Sequence, residues 1–245
     1  MKIPELKAMM EAGLHFGHRP SKWNPKMEKY IYGIRNNVHI FDLEKTRTSL
    51  EKALAFVKTT VANGGVVLFL GTKKQSRDLV EDNAKEVDMP HITEHWIGGT
   101  ITNFGEIHKL VKKLESLEKQ AADAEYEKKY TKWERGQFTE EMEKLTKMIG
   151  GIRHMSKVPD LIYIVGTKDE KTAVREALRR GVKTVGIVDT NADPSDVTLP
   201  IVANDDAIKS ITMITQLVKE AVKEGKKEAE KKGQENTDKT DKKEK

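Results

Sequence analysis

The sequence predicts an α/β fold in which a parallel β-sheet is covered by helices on both faces and interrupted by an antiparallel coiled-coil hairpin of helices. Three observations lead there. The apolar runs at 66–70 (Val-Val-Leu-Phe-Leu), 161–165 (Leu-Ile-Tyr-Ile-Val) and 184–188 (Thr-Val-Gly-Ile-Val) are continuous rather than alternating, as strands buried on both faces are. The first two runs lead directly into helical patterns, and strand followed by helix, repeated, builds a parallel sheet with two helical layers. Between the first and second runs the rhythm breaks into a narrow apolar seam flanked by charge.

Each element follows from local chemistry. Residues 1–50 hold nine basic side chains against five acidic ones, interleaved with aromatics, and read as an N-terminal segment lying over the domain. After the strand at 66–70, a helical pattern runs through Lys85. From Ile107 the positions Leu110, Leu114, Leu117, Ala121 and Ala124 form one leg of the hairpin. Phe138, Met142, Leu145 and Ile149 form the return leg, started by a capping box at Thr131-Lys132-Trp133-Glu134. Residues 105–150 carry ten basic and ten acidic side chains, as a solvated helical pair would, and the turn is expected near Tyr126 to Tyr130. The strand at 161–165 leads into a helix over Asp169 to Arg180, ended by Gly181. A last strand at Leu199 to Val202 precedes Asp205-Asp206, suited to a helix N-terminus, and a helix whose apolar face is Ile208, Ile211, Ile214, Leu217, Val218 and Val222. Beyond Gly225 the only apolar side chain is Ala229, so a disordered charged tail is expected over 225–245. The domains are then 1–104 with 151–224 as the α/β unit, 105–150 as the inserted hairpin, and the tail.

Composition excludes several functions. The 245 residues include no cysteine, which removes a disulfide framework, a thiol nucleophile, a thiolate zinc site and an iron–sulfur cluster. The longest apolar run is far short of the roughly 20 residues that span a bilayer, and Met1 to Glu5 form no apolar signal region, so a cytoplasmic protein is expected. Gly71-Thr72-Lys73-Lys74 lacks the upstream glycine of a P-loop, and no Gly-x-Ser-x-Gly elbow exists. Asp189, Asp193, Asp205 and Asp206 fall where strand ends converge, where they serve either an enzyme or, more simply, helix caps and turns. His15 and His18 lack the partners of a metal motif, so neither a cofactor nor a metal is expected.

What remains is basic and aromatic ground. His15, Phe16, His18, Arg19, Lys22, Trp23, Lys26, Tyr30, Arg35 and Asn37 combine phosphate-seeking cations with flat faces that can stack on bases. Lys73, Lys74 and Arg77 sit at an expected helix N-terminus, which adds backbone N–H groups. Composition alone leaves this surface and an ordinary solvated one about even.

The residues themselves carry a resemblance. Met9 to His18 (Met-Met-Glu-Ala-Gly-Leu-His-Phe-Gly-His), Trp23-Asn24-Pro25-Lys26-Met27, Asn36 to Leu43, Gly71 to Gln75, Trp96 to Phe104, Asp189 to Pro194 and Ala203 to Ala207 resemble, in order, the blocks of the bacterial S-two family of small-subunit ribosomal proteins. The resemblance covers about residues 5–224. It implies a flavodoxin-like (Rossmann-like) three-layer sandwich with a five-stranded parallel sheet and a protruding coiled-coil arm. It also implies a place on the small (30S) subunit near the head/body junction, binding of 16S rRNA, help in docking the S-one-family protein, and no catalysis. Carried over residue by residue, the expected RNA contacts are Arg19, Lys22, Trp23, Asn24, Lys26, Arg35, Asn36, Lys73, Lys74, Gln75 and Trp96. The chain departs from the family pattern at Ser21, where a second basic residue is usual, and at His95, where Arg is usual.

Overall fold

A computed structural model describes residues 3–123 and 126–241, with the side chains of 127, 128 and 233–241 left aside. In chain order the elements are α1 (Leu6–Glu11), β1 (Ile31–Arg35), β2 (Val38–Phe41), α2 (Leu43–Ala62), β3 (Val67–Leu70), α3 (Arg77–Glu86), β4 (His91–Ile92), α4 (Phe104–Ala121), α5 (Tyr126–Lys129), α6 (Lys132–Ile149), β5 (Leu161–Val165), α7 (Lys171–Arg180), β6 (Lys183–Val188), β7 (Leu199–Val202) and α8 (Ile208–Asp241).

Five strands form one parallel sheet in the order β4-β3-β5-β6-β7. Counted within the sheet alone, that is 2-1-3-4-5, the flavodoxin-like order, with its switch point between β3 and β5. Alternation along each strand feeds two cores. Val67, Phe69, Leu161, Tyr163, Val165, Val185 and Ile187 face the layer of α2, α3 and α8, through Leu50, Leu54, Val57, Val80, Ile211, Ile214 and Val218. Leu68, Leu70, Ile162, Ile164 and Val188 face α7 and the hairpin, through Ala173, Ala177, Ile107, Val111, Leu114 and Ile149. The continuous apolar runs have this cause: every side chain of β3 and β5 is buried on one face or the other. Gly181 ends α7 in the left-handed conformation (φ 70°), where a Cβ would be strained.

Helices α4 and α6 pack on each other, and the Thr131–Glu134 capping box is formed in both directions. Leu114, Leu117, Phe138, Met142 and Leu145 share one apolar cluster, and Lys113 bridges to Glu141 across the legs. The root of the pair is part of the domain, because Ile107, Val111 and Ile149 belong to the second core; the pair stands where the crossover from β4 to β5 needs a helix.

A disordered tail is expected from Gly225 onward; the described backbone there is helical. α8 continues to Asp241, and Gly225 is buried so closely on α2 that a Cβ would lie 2.7 Å from the Lys58 carbonyl oxygen. Lys58 holds Glu224 at 3.3 Å and Glu228 at 2.7 Å, and Lys226 Nζ donates to the Val87 carbonyl at 2.6 Å. Ion pairs and a glycine contact supply what apolar side chains do not. Residues 242–245 lie outside the described residues. No helix among the described residues is long and apolar enough to cross a membrane.

Candidate nucleic-acid interface

The N-terminal segment is strapped over the C-terminal ends of β6 and β7. Asn204 N–H donates to the Leu14 carbonyl at 3.1 Å, His18 N–H to Thr190 Oγ1 at 2.7 Å, and Asn24 N–H to the Thr190 carbonyl at 2.7 Å. On its other side the strap pairs with β2: Gly17 N–H donates to the His39 carbonyl, His39 N–H to the His18 carbonyl, and Phe41 N–H to the His15 carbonyl. Gly17 permits this approach, since a Cβ there would lie 2.5 Å from Thr190 Cγ2. β1 and β2 form an antiparallel hairpin whose tip, Asn36-Asn37, turns through positive φ (50° and 59°). The strap carries Arg19, Lys22, Trp23 and Lys26 over the ends of β6 and β7, and the β1–β2 hairpin carries Arg35 and Asn36 at its tip.

Beneath the strap lies a cluster of charge. Lys73 Nζ, on the turn after β3, contacts Asp205 Oδ1 and Asp206 Oδ1 at 2.8 Å each and Asp169 Oδ2 at 3.2 Å. Burial alone would lower its pKa; the carboxylates of Asp205 and Asp206 overcome that and hold it above the ordinary lysine value. Asp205 is pushed the other way by burial, and by Asp189 beside it, to well above the usual carboxylate range. His18 Nδ1 lies 3.0 Å from Asp189 Oδ1 and Nε2 3.4 Å from Asp206 Oδ2, and Asp189 raises its pKa above that of a free imidazole. His18, Asp189 and Asp206 offer donor atoms within 4.8 Å of one another, a set of types a divalent cation accepts; Lys73 already brings positive charge to Asp206. Asp193 caps the turn after Thr190 by accepting from Ser195 N–H, and also holds Lys26 Nζ at 2.6 Å. Asn204 shapes the turn before α8, its side chain accepting from the N–H groups of Asp206 and Ala207.

The eleven expected RNA contacts therefore separate. Arg19, Lys22, Lys26, Arg35, Asn36, Lys74 and Gln75 are exposed. Trp23 is half-buried and stacked on His39, ring centroids 5.1 Å apart, and Asn24 caps the short helical turn behind it by accepting from Lys26 N–H. Two face inward. Lys73 is 16% exposed and spent on three carboxylates. Trp96 is 5% exposed, and its Nε1–H donates to Glu176 Oε1 at 3.1 Å.

Sequence reasoning missed two buried glutamates and an apolar patch. Glu176 sits on the apolar face of α7 and accepts from Trp96 Nε1–H and Gly99 N–H with Oε1, and from Ile101 N–H, Thr102 N–H and Thr102 Oγ1–H with Oε2. Burial would raise its pKa, but these donors bring it below the usual value. The signal was its spacing, between the buried Ala173 and Ala177. Glu170 accepts from Thr72, joining the turns after β3 and β5; burial raises its pKa. Met10, Phe16, Tyr32 (82% exposed) and Ile34 form an apolar patch around a groove between the strap and the hairpin.

Comparison with known proteins gives one consistent result. Residues 9–225 match the family Ribosomal protein S2. The chain is 44% identical over 222 residues to the Small ribosomal subunit protein uS2 of Mycolicibacterium paratuberculosis, covering 91% of this chain and 80% of that protein. It is 43% identical over 220 residues to the protein of that name in Thermobifida fusca (90% and 75% covered), and 42% over 222 residues to that in Fusobacterium nucleatum (91% and 90%).

Proposed function

The chain belongs to the ribosomal protein S2 family, whose members are structural proteins of the ribosome rather than enzymes, and we propose that it is a constituent of the small subunit that binds 16S rRNA through the strap and the β1–β2 hairpin. The observation that carries this reading is the sorting of charge at one end of the sheet. Inward-facing Lys73 neutralises carboxylates, whereas Arg19, Lys22, Arg35 and Lys74 stay exposed and point their charge outward. Phosphate contacts by such cations supply most non-specific affinity for a polyanion, and Asn24, Asn36, Gln75 and half-buried Trp23 add hydrogen-bonding and stacking groups beside them. Lys26 joins them with its charge shared by Asp193. The position near the head/body junction follows from the family resemblance.

Docking of the S-one-family protein needs a different surface. Contiguous exposed apolar side chains mark protein partners rather than RNA backbone, and Met10, Phe16, Tyr32 and Ile34 provide such a patch next to the cationic strap.

Reversal of Arg19, Lys22, Arg35 and Lys74 to Glu tests the RNA face. The folded variant is expected to lose incorporation into small subunits while keeping its melting temperature within a few degrees; incorporation at the normal level removes these residues from the interface. Lys73→Glu is the contrasting control, because it places a fourth negative charge among three carboxylates and acts on folding.

A further inference from the structure

Among the described residues near the tip of the hairpin, one large aromatic side chain is left exposed. Trp133, in the first turn of α6, is 73% exposed, and no other large apolar side chain of the described hairpin residues is exposed. Tyr126, Tyr130 and Phe138 pack on one another without it, with ring centroids 5.1 to 6.4 Å apart. The indole is nevertheless held on a defined turn. Glu134 Oε2 accepts from Thr131 N–H at 2.8 Å, Thr131 Oγ1 accepts from Glu134 N–H at 3.3 Å, and this reciprocal cap fixes the backbone on both sides of Trp133. Lys132 beside it is exposed and has no partner among the described residues, whereas the neighbouring acid, Glu134, is occupied in the cap. An 18-residue helix carries this pair about 27 Å from the root of the hairpin at 1.5 Å per residue.

We propose that Trp133 is a base-stacking contact: its indole packs on an unpaired base of ribosomal RNA while Lys132 takes an adjoining phosphate. The inference rests on the small-subunit function given above. A docking pocket on a protein is filled by a patch of apolar side chains, and Trp133 is the one exposed large apolar side chain of the described hairpin residues. A single flat ring beside a free cation is the combination that single-stranded nucleic acid accepts without sequence readout.

The test uses the full chain added to small subunits depleted of this protein, with binding followed by sedimentation and the RNA mapped by chemical probing. Trp133→Ala is expected to weaken binding about 5- to 150-fold, the range for loss of one base stack, and to uncover an unpaired nucleotide that the wild-type chain protects. Trp133→Tyr, which keeps a stacking face, is expected to retain that protection, and the melting temperature of all variants stays unchanged because the side chain is exposed. Unchanged affinity and protection in Trp133→Ala overturn the proposal. So does a weakened variant whose only altered contacts map to a neighbouring protein. A wild-type chain that does not join the particles overturns the function beneath it as well, which separates the two failures.

Discussion

Glu176 shows how much one side chain can organise. Its two oxygens accept from five donors, among them the backbone N–H groups of Gly99, Ile101 and Thr102, and so fix the loop that leads from β4 to the hairpin. Glu176→Ala leaves those buried donors unpaired and is expected to cost about 3 kcal/mol or more, which lowers the melting temperature of a chain this size by about 6–12 °C. Because the folded-state pKa lies below the unfolded value, the carboxylate's contribution is complete above about pH 4.3 and fades as pH falls through the folded value. Thermal melts of both proteins between pH 7 and pH 3 should therefore converge on acidification; a constant gap would contradict the ionised hub. At this scale the sequence was only partly legible. Trp96 and Lys73 carry residue types that bind RNA, but whether a cation or an indole faces solvent is decided by partners far along the chain, Glu176 and Asp205, that no local pattern connects to them.

At the scale of elements, packing decides what local signals leave open. The strap contains no long regular element yet is bound on both sides, and Gly17 makes the closest approach to Thr190. Gly17→Val is expected to lift the strap at a cost of about 1–3 kcal/mol for the overpacked contact. Hydrogen exchange reports it directly, since the N–H groups of His39 and Phe41 donate to carbonyls on the strap and should exchange faster; unchanged protection would show that the strap tolerates the side chain. The long apolar strands, the capping box and the Gly181 stop were readable because each rests on nearest neighbours. β4 was not, because two residues offer no period and pair only once β3 is in place. The β1–β2 hairpin was read as basic and aromatic ground, since its Asn-Asn turn lacks the usual glycine. At Gly225 to Glu228, α8 stays beside α2 through the close Gly225 contact and the Lys58 ion pairs, a packing that composition alone does not show.

For the molecule as a whole, a net charge of +5 understates the surface, because opposite charges are sorted by depth as well as along the chain. The carboxylates at the strand ends turn inward to Lys73 and His18, and the cations of the strap and hairpin turn outward. The 2-1-3-4-5 sheet supplies the rigid platform, and just past the end of β6, Asp189 and Thr190 hold the N-terminal strap through His18. The central claim is that this platform joins the small ribosomal subunit through phosphate contacts. Sucrose-gradient sedimentation of a lightly tagged chain in its own cells, read at rising salt, tests it most directly. The account predicts co-migration with the small subunit and with translating ribosomes at moderate salt, and release as salt competes for the phosphates. A chain found only in the free soluble fractions at every salt concentration would contradict it.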